Sequence, residues 1–359
     1  MFQILQKCIL FLLLVSNTAV SAPLCRSYFD SMISESQIIE SIKGSDAFLD
    51  KRNEEWANSR RCLCCHTTLP YIMTRTYDAK SAGSFEIFRN SAVAKVQNPD
   101  LQPWYSADMT RRNSNPTESV VNAMTLLMYD QARKTDLQPV TLKAVDRIFE
   151  QLDSNHLLHW LDFNLQPFES KAAELWGNSF AILAIETAQK KSSYRAPQEK
   201  YKAMKNALLS KPEKLNLNEK SILLWAHSLS KSVLSPELFK QFVLDLKKSQ
   251  NKNGSWNQKA VLNMGTNTED TYSTSIALLA LVKSKVRGKK VTAAADWLTA
   301  QQKTVQTFGL SSAYTFWPST SMNRTDSNMN NLFASDSATG YATLALKAYK
   351  NEILKLKND

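Results

Sequence analysis

Glu269-Asp270-Thr271-Tyr272-Ser273-Thr274-Ser275-Ile276-Ala277-Leu278-Leu279-Ala280-Leu281-Val282 sets two acids in front of a run of small and apolar residues. Wound as a helix, Ser275 to Val282 shows no polar face, so the helix must be covered on most sides. The same statement recurs along the chain. Glu118 opens TESVVNAMTLLM, Glu169 opens FESKAAELWGNSFAILAI and Glu219 opens LNEKSILLWAHSL, so the acids at 118, 169, 219 and 270 are spaced by 51, 50 and 51 residues. A fifth copy, Asp336 in SDSATGYATLAL, follows after 66 residues, the excess being a polar insertion from Phe316 to Asn331. Counting back from Glu118 by 52 reaches His66, inside Cys62-Leu63-Cys64-Cys65-His66. Six copies of one unit follow, and self-similarity at this period is the mark of a helical array.

Each unit reads as an outer and an inner helix. Ser235-Pro236-Glu237 opens an outer one with a capping side chain and a proline where a missing N–H costs nothing. Leu238, Phe239, Phe242, Val243 and Leu246 share one face, and Lys240, Asp245, Lys247 and Lys248 the other. The spans predicted are 34–56/62–75, 84–97/116–133, 139–152/168–189, 196–209/217–231, 235–249/268–284 and 290–302/335–350. The fold class expected is all-α, an (α/α)6 toroid of six hairpins; an open solenoid would stack the same pairs without closing.

With 359 residues, 8 Gly, 11 Pro and no linker-like stretch, a single domain over 22–359 is expected. Residues 1–21 read separately. Lys7 precedes the apolar run Ile9 to Val15, and Ala19 and Ser21 stand at the −3 and −1 positions of a cleavage site before Ala22, which predicts a secretory signal and a periplasmic or secreted protein. The net charge of +11 becomes +10 without Lys7. Its lysines are scattered over outer helices, as on a solvated surface, with loose contact to a membrane surface or anionic polymer as the other use; nothing points to nucleic acid.

Cys62-x-x-Cys65-His66 matches the c-type haem attachment pattern, two thiols for the vinyl groups and an adjacent imidazole, His66, for the iron. A disulfide from Cys25 to the cluster, a Cys62–Cys65 redox pair and a zinc site completed from afar remain open beside it. Candidates for a distal ligand are His156, His159, His227 and Met109.

Gln250-x-x-x-Gly254-x-Trp256, at the end of an outer helix, resembles the QW motif of squalene-hopene cyclases and related terpene cyclases. Phe149-Glu150-Gln151 before Trp160, and Trp297-Leu298-Thr299-Ala300-Gln301, look like weakened copies. The resemblance spans most of residues 60–350 and implies the (α/α)6 toroid shared with prenyltransferase β subunits, with inner-helix N-termini around one mouth of a central cavity. It implies an isoprenoid or similar apolar ligand. The family's Asp-x-Asp-Asp acid is absent, and so are its magnesium-holding clusters. Fold membership is therefore better supported than cyclase activity.

The repeated acids suit helix N-termini on electrostatic grounds alone. If they converge, they raise one another's pKa values, and Asp162, Asp270 and Asp336 are the candidate proton donors because each adjoins aromatic or small residues. Trp160, Trp176, Trp225, Tyr272, Trp317 and Tyr341 are the candidate walls for an apolar ligand, with Trp104 and Tyr105 beside them.

Overall fold

The computed structural model describes residues 33–60, 62–78, 83–98, 101, 104, 114–305, 314–325 and 327–354. The candidate signal, Cys25, Tyr105 and Met109 lie outside the described residues. The chain is mostly helical. Among the described residues, six outer helices, α1 (Glu35–Ser59), α3 (Gly83–Gln97), α5 (Pro139–Glu150), α7 (Gln198–Leu209), α9 (Pro236–Lys248) and α12 (Lys289–Gln301), alternate with inner ones. The inner helices are α2 (Thr68–Thr74), α4 (Asn115–Arg133), α6 (Glu174–Lys191), α8 (Leu217–Ser230), α11 (Thr271–Lys283) and α13 (Asn328–Tyr349). A short α10 (Gln258–Leu262) and an antiparallel pair, β1 (Lys303–Val305) and β2 (Tyr314–Phe316), complete it.

The two classes of helix differ as their sequences require. In α9, Ser235 Oγ accepts from Leu238 N at 3.2 Å, Phe242 and Leu246 are buried, and Leu244 is exposed. In α11 every residue from Thr271 to Val282 is buried. Inner helices therefore pack on inner helices: α2 on α4, α4 on α6, α6 on α8, α8 on α11 and α11 on α13. Helix α13 also packs on α2, where Gly340 lets the backbones close up: a Cβ at Gly340 would lie 2.5 Å from Pro70 Cβ.

Loops before the inner helices are held by one recurring device. Trp256 N donates to Thr274 Oγ1 at 2.9 Å and Trp317 N to Thr339 Oγ1 at 3.1 Å; Leu158 N donates to Asn178 Oδ1 at 2.9 Å. Each indole of the first two also donates to the end of the preceding outer helix, Trp256 to Leu246 O at 2.9 Å and Trp317 to Leu298 O at 2.7 Å. Gln250 of the QW-like motif donates to Gly254 O and to Lys290 O, both at 2.8 Å, so it ties the end of α9 to α12.

Three helix starts differ from the expected ones by more than a turn. Helix α2 begins at Thr68, not at residue 62, because Cys62 to Thr67 form the turn that leads into it. Helix α6 begins at Glu174, not near residue 168, because Leu165 to Glu169 forms a tight turn closed by Leu165 N and Glu169 N each bonding across it. Glu169 is thus a loop residue. Helix α13 begins at Asn328, capped by Ser327, so Asp336 lies inside the helix and not at its start. The polar insertion forms a strap whose described part runs over 317–325. Asn323 Nδ2 donates to Asn164 O at 2.8 Å and Arg324 Nη2 to Phe163 O at 2.6 Å, pinning the strap to the 161–169 loop.

Candidate functional site

The Cys62–His66 segment leads into α2, and its geometry begins with the capping of that helix. Cys64 Sγ accepts from Thr67 N and Thr68 N, both at 3.4 Å, so this thiol serves the helix end. Burial pushes Cys64 far above the usual thiol range. Cys62, Cys64 and Cys65 form no disulfide with one another. With the turn fixed, His66 stacks on Phe333 at 4.4 Å between centroids and meets Trp56 edge-on at 5.3 Å.

A polar chain sets the imidazole's protons. Arg52 donates to Asp336 Oδ1 at 2.8 Å and Oδ2 at 3.0 Å, and Thr67 Oγ1 donates to Asp336 Oδ2 at 2.8 Å. Having donated, the Thr67 oxygen is left to accept from His66 Nδ1, 2.9 Å away. The tautomer is therefore Nδ1–H, and Nε2 carries a free lone pair. Its acidic neighbour, Glu169 Oε1, stands at 3.9 Å, beyond hydrogen-bond reach. Burial, with Arg52 nearby, pulls His66 down to about 3, so the ring is neutral near pH 7.

Glu169 faces His66 from the turn before α6. Burial raises it to about 7, against hydrogen bonds from the Cys65 backbone and thiol that pull the other way. Cys65 is raised well above its usual value by burial and by Glu169, which excludes a ready thiolate nucleophile. Around this cluster opens a cleft of about 280 Å³. Trp56, Trp104, Leu161, Phe163, Met329 and Phe333 give it apolar walls; Cys62, Cys65, His66 and Glu169 form part of its lining, and Arg60 and Arg324 lie at it too.

The other expected site residues have separate occupations. Asp270 caps α11, accepting from Ser273 N at 2.7 Å, and burial raises it. Asp162 accepts from Asn164 N at 2.8 Å and holds a turn. Asp336 reaches His66 only through Thr67. Glu118 takes Trp104 N at 2.6 Å and pairs with Lys95 at 3.1 Å, while Glu219 is the third residue of a capping box with Asn216. Among the aromatic candidates, Trp160, Trp176, Tyr272 and Tyr341 are buried and linked by edge-on contacts with Phe168, filling the space between inner helices. Trp317 is fully buried, and Trp225 lies beside Lys283. His227 accepts Leu234 N at 3.1 Å in the core, His159 is exposed, and His156 occupies a turn at φ 61°.

Sequence reasoning missed Arg52, Thr67, Glu169 as partner of His66, Arg324 and Phe333. Only Thr67, next to His66, was within reach of a local reading.

Glu219 offers a test of this electrostatic picture. Burial raises it to about 7, so the folded chain holds this proton more tightly than the unfolded one. Stability from this group is then full below the unfolded value and falls as pH rises toward 7. Glu219→Gln keeps the capping box and removes the penalty, so it should stabilise the protein by roughly 1–3 kcal/mol at pH 8 and by almost nothing at pH 4. Thermal melts at the two pH values decide it; equal shifts at both would sink the account.

No helix among the described residues is long and apolar enough to cross a membrane. No family model matches the chain, and no curated protein matches it.

Proposed function

We propose that the chain is a c-type haem protein built on an (α/α)6 toroid, with Cys62 and Cys65 as attachment residues, His66 as proximal ligand and an exported location. The toroid reading rests on the circuit of inner-helix contacts, which runs from α2 through α11 to α13 and returns to α2. The haem reading rests on one observation: a neutral, buried histidine whose Nδ1 is engaged by Thr67, itself anchored on Asp336, lines an aromatic-walled cleft together with Cys62 and Cys65. A hydrogen bond from the far ring nitrogen to a fixed acceptor such as Thr67 orients a ligating imidazole and raises its basicity.

The residues present fit the group in kind. Two thiols and an imidazole supply the covalent and axial bonds, the walls suit an apolar macrocycle, and Arg60 and Arg324 suit its carboxylates. Bound there, the group would supply one-electron redox or gas-ligand chemistry. The protein's own part is to keep His66 neutral and hold it between Phe333 and Trp56, with Glu169 near the ring as an acid of raised pKa. The isoprenoid-binding reading has less to stand on, because Trp176, Tyr272 and Tyr341 are packed against one another and Asp162, Asp270 and Asp336 are each committed to a turn, a helix end or Arg52.

Thioether linkage survives denaturation, which makes the test direct. Protein made in a host with thioether-forming maturation machinery should keep a peroxidase-active stain on a denaturing gel. Cys65→Ala should abolish or sharply weaken it, while Cys64→Ala, which removes a thiol outside the Cys-x-x-Cys-His spacing, should keep it. A haem-free wild-type product from that host, with Cys62 and Cys65 unmodified by mass spectrometry, would refute the reading.

A further inference from the structure

Inner helix α4 carries a polar stripe that packing alone does not account for. Asn115, Glu118, Ser119 and Asn122 fall at the i, i+3, i+4 and i+7 positions of one face, and all but Asn115 are buried. The stripe lines a cleft of about 170 Å³ bounded by Lys95 and Val96 of α3 and by Ala144, Arg147 and Gln151 at the end of α5. Among the described residues, this cleft shares no lining residue with the one at Cys62 and His66.

Asn122 stands where other units keep their clamp. Asn178 and Thr274, each four residues after an acid, Glu174 and Asp270, accept the backbone N–H of Leu158 and Trp256 from the preceding loop. Before α4 that loop is held one turn earlier, by Glu118, which accepts Trp104 N at 2.6 Å. Asn122, four residues after Glu118, is therefore released from clamping; it is 5% exposed, and its Oδ1 is buried without a hydrogen-bond partner. Helix α8 shows what suits an unclamped position, since four residues after Glu219 it has Leu223, fully buried. A buried amide without its bonds is destabilising beside such a leucine, so Asn122 calls for a partner from outside the chain.

The charges of the cleft define that partner. Glu118 is already engaged: Oε1 accepts from Trp104 N and Ser114 Oγ, and Oε2 pairs with Lys95 at 3.1 Å. Glu150 is exposed at the rim, where solvent and salt screen it. Arg147 is half-buried, forms no ion pair with a described residue, and has its Nε buried and unpartnered. An unengaged guanidinium and an unengaged amide on two packed helices match a carboxylate, whose two oxygens accept from a fork of N–H donors. Val96, Leu101 and Ala144 supply an apolar wall for a short tail. A cavity of about 150 Å³ takes up benzene, so this one suits a ligand of about six heavy atoms.

We propose that the cleft between α3, α4 and α5 binds a small organic carboxylate, a free short-chain acid, with Arg147 and Asn122 holding the carboxylate and Val96 and Ala144 its tail. The site stands independently of what the Cys62–His66 cleft holds.

Titration calorimetry of the full chain with butyrate provides the test. Butyramide serves as the uncharged isostere, inorganic phosphate as the bare anion and N-acetyl-dialanine as a peptide terminus. Butyrate should saturate one site at millimolar concentration and bind at least about tenfold more tightly than butyramide. Arg147→Gln should weaken butyrate at least about tenfold, and Asn122→Leu several-fold. Asn122→Leu should also melt no lower than the wild type, because it exchanges an unbonded amide for the residue that α8 uses, which separates a lost ligand from a lost fold. Circular dichroism of Arg147→Gln should match the wild type. Absence of saturable butyrate binding overturns the proposal. So does binding that Arg147→Gln leaves unchanged, and so does tighter binding of phosphate or of N-acetyl-dialanine than of butyrate.

Discussion

Replacing Arg52 by alanine is expected to lower the free energy of unfolding by about 3–5 kcal/mol, the range for stripping one partner from a buried ion pair. Asp336 is fully buried inside α13, and Arg52 from α1 supplies two of its hydrogen bonds, at 2.8 and 3.0 Å. Without Arg52 the carboxylate keeps only the Thr67 hydroxyl. Burial already raises Asp336, with Arg52 pulling it back down, so the variant's folded state should hold a proton there to still higher pH. A folded value above the unfolded one means stability lost as pH rises, so the deficit should be larger at pH 7 than at pH 4. Urea titrations at both values measure this, and Arg52→Ala with Asp336→Asn should recover part of the loss. A deficit below about 1 kcal/mol, the level of an exposed salt bridge, would show that Asp336 is not held as described. The functional consequence runs through Thr67, since a protonated Asp336 no longer compels the hydroxyl to donate and the His66 tautomer loosens.

Helix content and order were legible because burial writes itself on composition. Inner helices such as α11 are covered on all sides, so their sequences lose the polar stripe that α5 and α9 keep. The repeated acid was a looser guide, because the conserved geometry belongs to the residue that clamps the preceding loop, Thr274, Thr339 or Asn178. By that measure Glu174, four residues before Asn178, is the counterpart of Asp270, four before Thr274. Glu169 keeps the period by coincidence of loop length, and that displacement is what frees it to face His66.

The site itself was half legible. Cys62, Cys65 and His66 stand together in the chain, and their spacing states a chemistry that can be read without a fold. Arg52 and Asp336 are 284 residues apart, and one sequence contains nothing that pairs them. Phe333 and Met329 lie in the two turns that α13 gains beyond its expected start, so an error in one helix boundary hid both walls of the cleft. The strap was visible as a polar insertion, but its role emerges only from its bonds to Phe163 and Asn164 on the opposite loop.

Trp256→Ala is expected to cost about 3–5 kcal/mol, and Trp317→Ala an equal amount, because the two indoles do the same work in successive units. Both are fully buried, both N–H groups donate to the end of an outer helix, and both backbones are clamped by a threonine of the next inner helix. Removing either leaves a large void and an unpaired buried carbonyl. Phenylalanine fills most of the void but not the hydrogen bond, so Trp256→Phe and Trp317→Phe should cost about 1–3 kcal/mol each. The motif around Gln250 adds a contrast between the units: Gly254, at φ 96°, lets the loop lie where a Cβ would come within 2.3 Å of Ala293 O, so the Trp256 loop is bound on two sides. Losses near 1 kcal/mol for the alanine variants, or a several-fold difference between the two sites, would mean that the repeat seen in the chain does not carry a repeated energy. Equal losses would mean that each hairpin is locked to the next by the same bond, which is how the chain can hold Thr67, beside His66, against Asp336 at the other end of the sequence.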